Sequence, residues 1–231
     1  MRSRWRRWRT RAVHAIWEWF RRHGMLTADR PGPYRFAKFG HGAIIAFPPG
    51  AVYGEGAICI GEDTLIGERV SLTAGLLPDQ DLFGWILLRI GQRSSIGRGS
   101  FIVAHESITI GNDVFVAPYA YITDQNHTYE DLDTPIGRQW PRNSPVVIGD
   151  GCWIGAGCVI LPGARLGRHV TVAAGSVVRG EIPDYCVVGG APAKILRRYD
   201  PERGWIPAPP DVPAAPTSPA IGPMSTMAGG A

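Results

Sequence analysis

The strongest constraint on what this chain can fold into is a period of six. From Ile148 an aliphatic residue returns at Ile154, Ile160, Leu166, Val172 and Val178. Gly149, Gly155 and Gly167 directly follow three of these. A small or β-branched residue stands four positions after each of the first five: Cys152, Cys158, Ala164, Val170 and Ser176. The same step runs through Ile60, Ile66 and Leu72, and through Ile90, Ile96, Ile102 and Ile108. A two-residue slip then opens the run Ile110, Val116, Ile122. Six is the period of neither a helix nor a strand. It fits a short strand plus a turn, stacked coil upon coil. In such a solenoid the aliphatic side chain points inward and the small residue fits inside the next corner. The glycine is expected to take the unusual backbone angles of the corner. The pattern breaks at residues 73–89 and 123–147, and loops that leave a rigid scaffold are where function concentrates.

Composition removes the competing classes. Gly 30 and Pro 20 make 50 of 231 residues, well above the roughly 12% of average usage, which argues against a helical bundle. With 45% hydrophobic and 19% charged residues, the chain can bury a core and is not globally disordered. No stretch reaches the ~18 unbroken apolar residues of a spanning helix. Four cysteines without a Cys-x-x-Cys pair fit neither a zinc finger nor a disulfide-rich mini-domain. Cys152 and Cys158 are one hexad apart, so they lie on successive faces of a three-sided coil and are not expected to pair.

Three regions separate. Residues 1–28 are rich in Arg and Trp, residues 29–199 carry the repeats, and residues 200–231 hold eight prolines and read as a disordered tail. In the first region Trp5, Trp8, Ala12, Ile16 and Trp19 recur at helical spacing, widened by Val13, Trp17 and Phe20, and Gly24 is a plausible stop. Residues 1–22 hold eight Arg and one Glu, a charge of +7. The remaining 16 basic and 19 acidic residues give −3. No apolar core or small-residue cleavage site marks a secretory signal. The apolar stripe suits either docking on the protein's own body or the bilayer interface. The high positive charge leads to the expectation of reversible association of residues 1–23 with anionic membranes. The body carries no pointer to nucleic acid.

The hexads from 148 to 178, the stretch Ile110-Gly111-Asn112-Asp113-Val114-Phe115-Val116-Ala117-Pro118, the His-containing loop at 123–131 and the closing Val187-Val188-Gly189-Gly190-Ala191-Pro192-Ala193-Lys194 carry a family resemblance. Over roughly residues 57–198 the chain resembles the hexapeptide-repeat acyltransferases, and within them the maltose, galactoside and polysaccharide O-acetyltransferase branch. The resemblance implies an all-β, left-handed parallel β-helix, acetyl-CoA as acyl donor, a homotrimer with sites between subunits, and a sugar, glycan precursor or glycolipid as acceptor. No pair of histidines has the spacing or company of a metal site, so no required metal is expected, and the expected location is cytoplasmic. The family's general base falls on His127. An imidazole with a pKa of about 6.5 suits the removal of a proton from a poorly nucleophilic hydroxyl. Asp124, Glu130 and Asp131 are neighbours in sequence that could orient it. The coenzyme groove carries over to Ala156, Ala174, Arg179, Lys194 and Arg197: small residues for the pantetheine arm, cations for the phosphates. His105 falls where the branch has a substrate-binding Asp, and Trp153 matches an aromatic beside the groove. The branch's substrate-binding Asn falls near Gly97. His14, His23, His41 and His169 read as solvated or structural. Other readings are a serine or antibiotic acetyltransferase, an inactive repeat scaffold, or a carbonic-anhydrase-like metalloprotein.

Overall fold

The computed structural model describes residues 2–78 and 80–208, with side chains from Arg7 onward. The body is a three-faced prism of short parallel strands, a left-handed β-helix. Face 1 stacks Lys38–Phe39, Ile58–Ile60, Leu88–Ile90, Ile108–Ile110, Val146–Ile148, Arg165–Leu166 and Glu181–Ile182. Face 2 stacks Ile44–Ile45, Leu65–Ile66, Ser95–Ile96, Phe115–Val116, Trp153–Ile154, Thr171–Val172 and Cys186–Gly190. Face 3 stacks Val52–Tyr53, Ser71–Ala74, Phe101–Ala104, Tyr121–Thr123, Val159–Ile160 and Val177–Val178. The chain visits face 1, then 2, then 3, and returns to 1.

The hexad aliphatics form vertical columns inside the prism. On face 1, Ile60 pairs in register with Ile90, Ile90 with Ile110, Ile110 with Ile148, and Ile148 with Leu166. All are 3% exposed or less. Each such side chain contributes roughly 1.5–3 kcal/mol by leaving water. The small residues are also buried, and several tie one coil to the next. Thr64 Oγ1 donates to the Gly91 carbonyl (2.7 Å) and accepts from the Ser94 amide (3.1 Å). Ser94 repeats this to Gly111 and Val114, and Cys152 Sγ to Gly167 and Val170. All four cysteines are free.

The corner geometry differs from the sequence expectation. Left-handed backbone occurs three positions after each inward aliphatic: Asp63, Arg93, Asp113, Gly151, His169 and Tyr185 between faces 1 and 2, and Arg69, Gly99, Tyr119, Gly157 and Gly175 between faces 2 and 3. The glycines directly after the aliphatics, Gly149, Gly155 and Gly167, do not carry it. They are required because an added Cβ would strike the next coil; at Gly149 it would lie 2.6 Å from the Gly167 carbonyl oxygen.

Helix α1 (Arg2–His23) precedes the prism. Its last turns dock on the prism: Arg21 pairs with Glu68 (2.8 Å), and the Trp17 ring lies 6.5 Å from that of Phe47. Trp8, Val13, Ile16, Trp19 and Phe20 remain exposed; the side chain of Trp5 lies outside the described residues. Among those residues, no helix is long and apolar enough to cross a membrane. At the other end, residues 200–207, read from the sequence as the start of a disordered tail, are ordered. Ala193–Asp200 and Gly204–Pro207 form an antiparallel hairpin that extends face 2. The ladder, with Tyr199 against Trp205, supplies the partners that the proline content obscured. Residues 209–231 lie outside the described residues.

Candidate functional site

The three edges of the prism are unequal. Every long departure leaves between face 3 and face 1: residues 75–87, the turn 105–107, and residues 124–145. The last carries His127. Its base is fixed by Asp124, which is fully buried. The Asp124 carboxylate accepts the amides of His105 (2.8 Å), Glu106 (2.8 Å) and Ser107 (2.7 Å). Its own carbonyl accepts the amide of Ser144 (2.7 Å) as the excursion returns. Gln125–Asn126 then pair with Arg142–Asn143 as a two-stranded stem, and His127 follows directly, exposed to solvent.

The rest of the excursion is braced from within. Thr128 Oγ1 donates to the Trp140 carbonyl (2.7 Å), and Gln139 Nε2 donates to the carbonyls of Asp131 (2.8 Å) and Thr134 (2.7 Å). Glu130 accepts the Tyr129 amide (3.0 Å) and pairs with Arg142 (3.3 Å). Asp131 accepts the amides of Asp133 (2.9 Å) and Thr134 (3.3 Å). The Tyr129 amide chiefly holds the Glu130 carboxyl below its ordinary range, and the Thr134 hydroxyl chiefly does so for Asp131. The three carboxylates near His127 in sequence are thus each engaged elsewhere. Asp124 in particular is the clamp of a turn, a role that sequence reasoning missed. The two-residue slip between Ile108 and Ile110 was its visible trace, because the inserted residues need their amides satisfied.

His105 sits in that turn, half-buried, with its ring Nδ1 buried and without a hydrogen-bond partner. Burial pushes its pKa down, opposed by Asp124. An unpaired N–H is costlier to bury than an unpaired lone pair. The proton is therefore assigned to Nε2 of a neutral ring, which leaves that atom as a donor.

The remaining sequence-derived residues divide between edges. Ala156 and Ala174 are exposed at the edge between faces 2 and 3, one coil apart, and the Gly175 amide donates to the Ala156 carbonyl (2.8 Å). Lys194 pairs with Gly189 beside them, where a Cβ on Gly189 would lie 3.2 Å from Ala173 Cβ. Arg197 is further along the same strand and donates to the Trp205 carbonyl (2.9 Å). Arg179 lies on the 3–1 edge, the edge of His127. Trp153 is on the outer surface of face 2, stacked in register with Phe115. Gly97 has no space for a side chain, since a Cβ there would meet the backbone of Ala117 and Pro118. Within one chain, face 3 therefore separates His127 from the pair Ala156 and Ala174. Among the described residues, no group of three or more His, Cys, Asp or Glu could hold a metal ion.

Comparison with known proteins accords with this architecture. The family described as bacterial transferase hexapeptide (six repeats) matches residues 145–180. WbbJ of Escherichia coli (strain K12), named as an O-acetyl transferase of lipopolysaccharide biosynthesis, is 34% identical over 166 residues, which are 69% of this chain and 80% of that one. A galactoside O-acetyltransferase of the same organism is 30% identical over 121 residues, 48% of this chain and 56% of its own length. Among solved structures, a mutant of AntD, an N-acyltransferase from Bacillus cereus, in complex with dTDP and coenzyme A, superposes with a TM-score of 0.64 at 16% identity, covering 77% of this chain and 92% of that one. This likeness concerns the fold. With relatedness extending over most of a curated relative, and a prism of six-residue steps to match, the chain belongs to the hexapeptide-repeat transferases and is an acyltransferase.

Proposed function

We propose that the protein moves an acetyl group from acetyl-CoA to a hydroxyl of a sugar, glycan precursor or glycolipid, with His127 as general base. One observation carries the site: an exposed imidazole on an excursion clamped to a rigid scaffold by Asp124 and a two-stranded stem. The O-acetyl transfer named for WbbJ and for the galactoside enzyme supports the choice of acceptor. His127 takes the proton from the acceptor hydroxyl as its oxygen attacks the thioester carbonyl. Backbone amides near the thioester would stabilise the oxyanion. The C–S bond then breaks, and the imidazolium returns its proton to the departing thiolate.

Ala156 and Ala174 leave a corner without bulk, where a pantetheine arm can lie against the main chain. Lys194, Arg197 and Arg179 are the cations we assign to the coenzyme phosphates, and His105 and Trp153 are the residues we assign to the acceptor side. Because face 3 separates His127 from the alanine corner, we assign the complete site to two subunits of a homotrimer. The exposed columns Leu65, Phe115 and Trp153 on face 2, and Phe101 and Tyr121 on face 3, supply apolar surface for that contact. The assembly would scatter light as about three times 25.1 kDa. Residues 1–23 we assign to peripheral contact with anionic membrane on the cytoplasmic side. Supporting this are the +7 charge and the exposure of Trp8, Ile16 and Trp19 along the helix. The prism, residues 29–199 together with the hairpin, is the catalytic unit.

The test of the reaction is release of free thiol from acetyl-CoA against a panel of sugars and glycosides. Thiol release dependent on a hydroxyl acceptor is the expected result; hydrolysis at one rate regardless of acceptor would overturn the reading.

A further inference from the structure

Along the edge between faces 2 and 3, successive coils are joined by backbone hydrogen bonds. The Gly99 amide donates to the Glu68 carbonyl (2.9 Å), Tyr119 to Arg98 (3.1 Å), Gly157 to Pro118 (3.0 Å) and Gly175 to Ala156 (2.8 Å). Gly99, Tyr119, Gly157 and Gly175 therefore hold one place on four successive coils. All are left-handed, with φ of 67°, 63°, 65° and 70°. Glycine takes that conformation freely, whereas it is costly for a bulky residue.

The tyrosine changes the shape of the edge. Nothing lies within 4 Å of a Cβ added to Gly157 or to Gly175, so the corner beside Ala156 and Ala174 is open over two coils. Stacked coils are about 4.8 Å apart. One coil before Ala156 the opening ends. The Tyr119 ring lies over Gly99, where an added Cβ would stand 2.6 Å from the ring carbon Cε1. The Arg98 guanidinium braces the ring at 5.9 Å from its centroid. Tyr119 remains 61% exposed, which leaves ring surface to meet a ligand.

Tyr119 also stands at the level of the chemistry. Its coil continues through Tyr121–Thr123 into the excursion that carries His127. Copies related by a rotation axis along the prism would set His127 of one copy level with Tyr119 of the next. The cations Lys194 and Arg197 lie beyond Ala174, toward the other end of the edge. A coenzyme laid along the corner runs from these cations past the two alanines and brings its thioester to Tyr119. We infer that the Tyr119 ring is the stop for the acyl chain, admitting acetyl and excluding longer saturated acyl groups. This rests on the acyl-transfer reading above and adds a residue that sets donor specificity.

The experiment uses the full chain, with thiol release from acetyl-CoA and butyryl-CoA measured on the same panel of sugars. The wild type is expected to use butyryl-CoA about a hundredfold less well in kcat/KM, since its two further methylenes meet the ring. Tyr119→Gly suits the backbone angle and removes the ring; it is expected to bring the two donors within about threefold. Tyr119→Phe keeps the ring and should keep the wild-type ratio. Tyr119→Asn, a small side chain tolerated in this conformation, takes the place of the glycine variant if that variant does not fold. Equal use of both donors by the wild type overturns the stop. So does a ratio that survives loss of the ring, including one that survives alongside a changed oligomeric mass in light scattering, which would assign Tyr119 to a contact between copies. If acetyl-CoA is not turned over with any sugar, the acetyl-transfer reading fails separately. Calorimetric titration of the two thioesters then decides the stop: an acetyl preference lost in Tyr119→Gly supports it, and equal affinities in the wild type overturn it.

Discussion

From face 1 to face 2, every inward residue follows its predecessor by six: Ile60 to Ile66, Ile90 to Ile96, Ile110 to Val116, Ile148 to Ile154, Leu166 to Val172, Ile182 to Val188. From face 2 to face 3 the step is again six from Ile66 to Leu72 up to Val172 to Val178, the first coil alone taking seven, from Ile45 to Val52. From face 3 back to face 1 it is not. Leu72 is followed by Ile90, Ile102 by Ile110, Ile122 by Ile148, and only Ile160 keeps the step, to Leu166. Two edges are thus under strict steric control, and the third is free to vary in length. The reason is visible in the glycines. At the regular edges backbone lies on backbone, so insertion or bulk meets the next coil. At the 3–1 edge the chain leaves the stack, and only the ends of each departure must be tied down. The regular edges hold the scaffold, and the irregular edge holds His127, His105 and the excursion 75–87.

That contrast can be broken first at His127. His127→Ala is expected to lower kcat by on the order of 10²–10⁴, the usual range for loss of a general base. Melting temperature and coenzyme affinity should be unchanged, because the residue is exposed on an excursion. A variant that retains more than about a third of wild-type activity would remove His127 from the mechanism. Steady-state kinetics beside a thermal melt reads both.

The regular edges should respond in the opposite way. Gly91→Ala would place a Cβ against the backbone of Gly111 and Asn112, whereas nothing lies within 4 Å of one added to Gly137 in the excursion. The first change is expected to cost about 3 kcal/mol, a fall in melting temperature of roughly 6–12 °C for a chain of this size. The second should stay within about 0.5 kcal/mol. Similar melting curves for the two would contradict the steric account of the edges.

Asp124 sharpens the comparison, since it belongs to the irregular edge but acts structurally. Asp124→Asn keeps the shape and replaces one acceptor oxygen with a donor facing backbone amides. Loss of that buried partner is expected to cost about 1–3 kcal/mol. Hydrogen exchange should show faster opening at residues 105–107 and 144–146, with the hexads from 148 to 178 unaffected.

The smallest effect is a pH dependence. Burial lowers the pKa of His105 in the folded protein. As pH falls below the ordinary histidine value of about 6.5, the unfolded chain binds a proton that the folded chain resists. Stability should therefore drop toward acid pH, while above that value the group contributes nothing. The His105→Gln variant should lose less stability than the wild type between pH 7.5 and 5.5. A matched decline in both would show that burial of this ring has no energetic consequence.

The sequence by itself determined the prism. A six-residue recurrence of Ile, Leu and Val can bury its side chains only if each step turns a corner, and the small residues four positions on declare the space available there. It also marked both long departures and the single histidine in the second, because an interrupted period is as readable as a kept one. Other features depend on contacts between residues far apart in the chain. The glycines directly after the aliphatics avoid the next coil rather than supply left-handed angles, a distinction set by neighbours about twenty residues away. Asp124 resembled a partner for His127 three positions on, yet its carboxylate satisfies amides 17–19 residues earlier. The hairpin ending at Pro207 was hidden in a proline-rich stretch, since its order comes from the ladder with Ala193–Asp200 rather than from local preference. The division of the candidate site between two edges was likewise invisible along the chain. Ala156 and Ala174 are eighteen residues apart and adjacent, while His127 lies across a face from both, because eighteen residues return the chain to the same corner and a long departure does not.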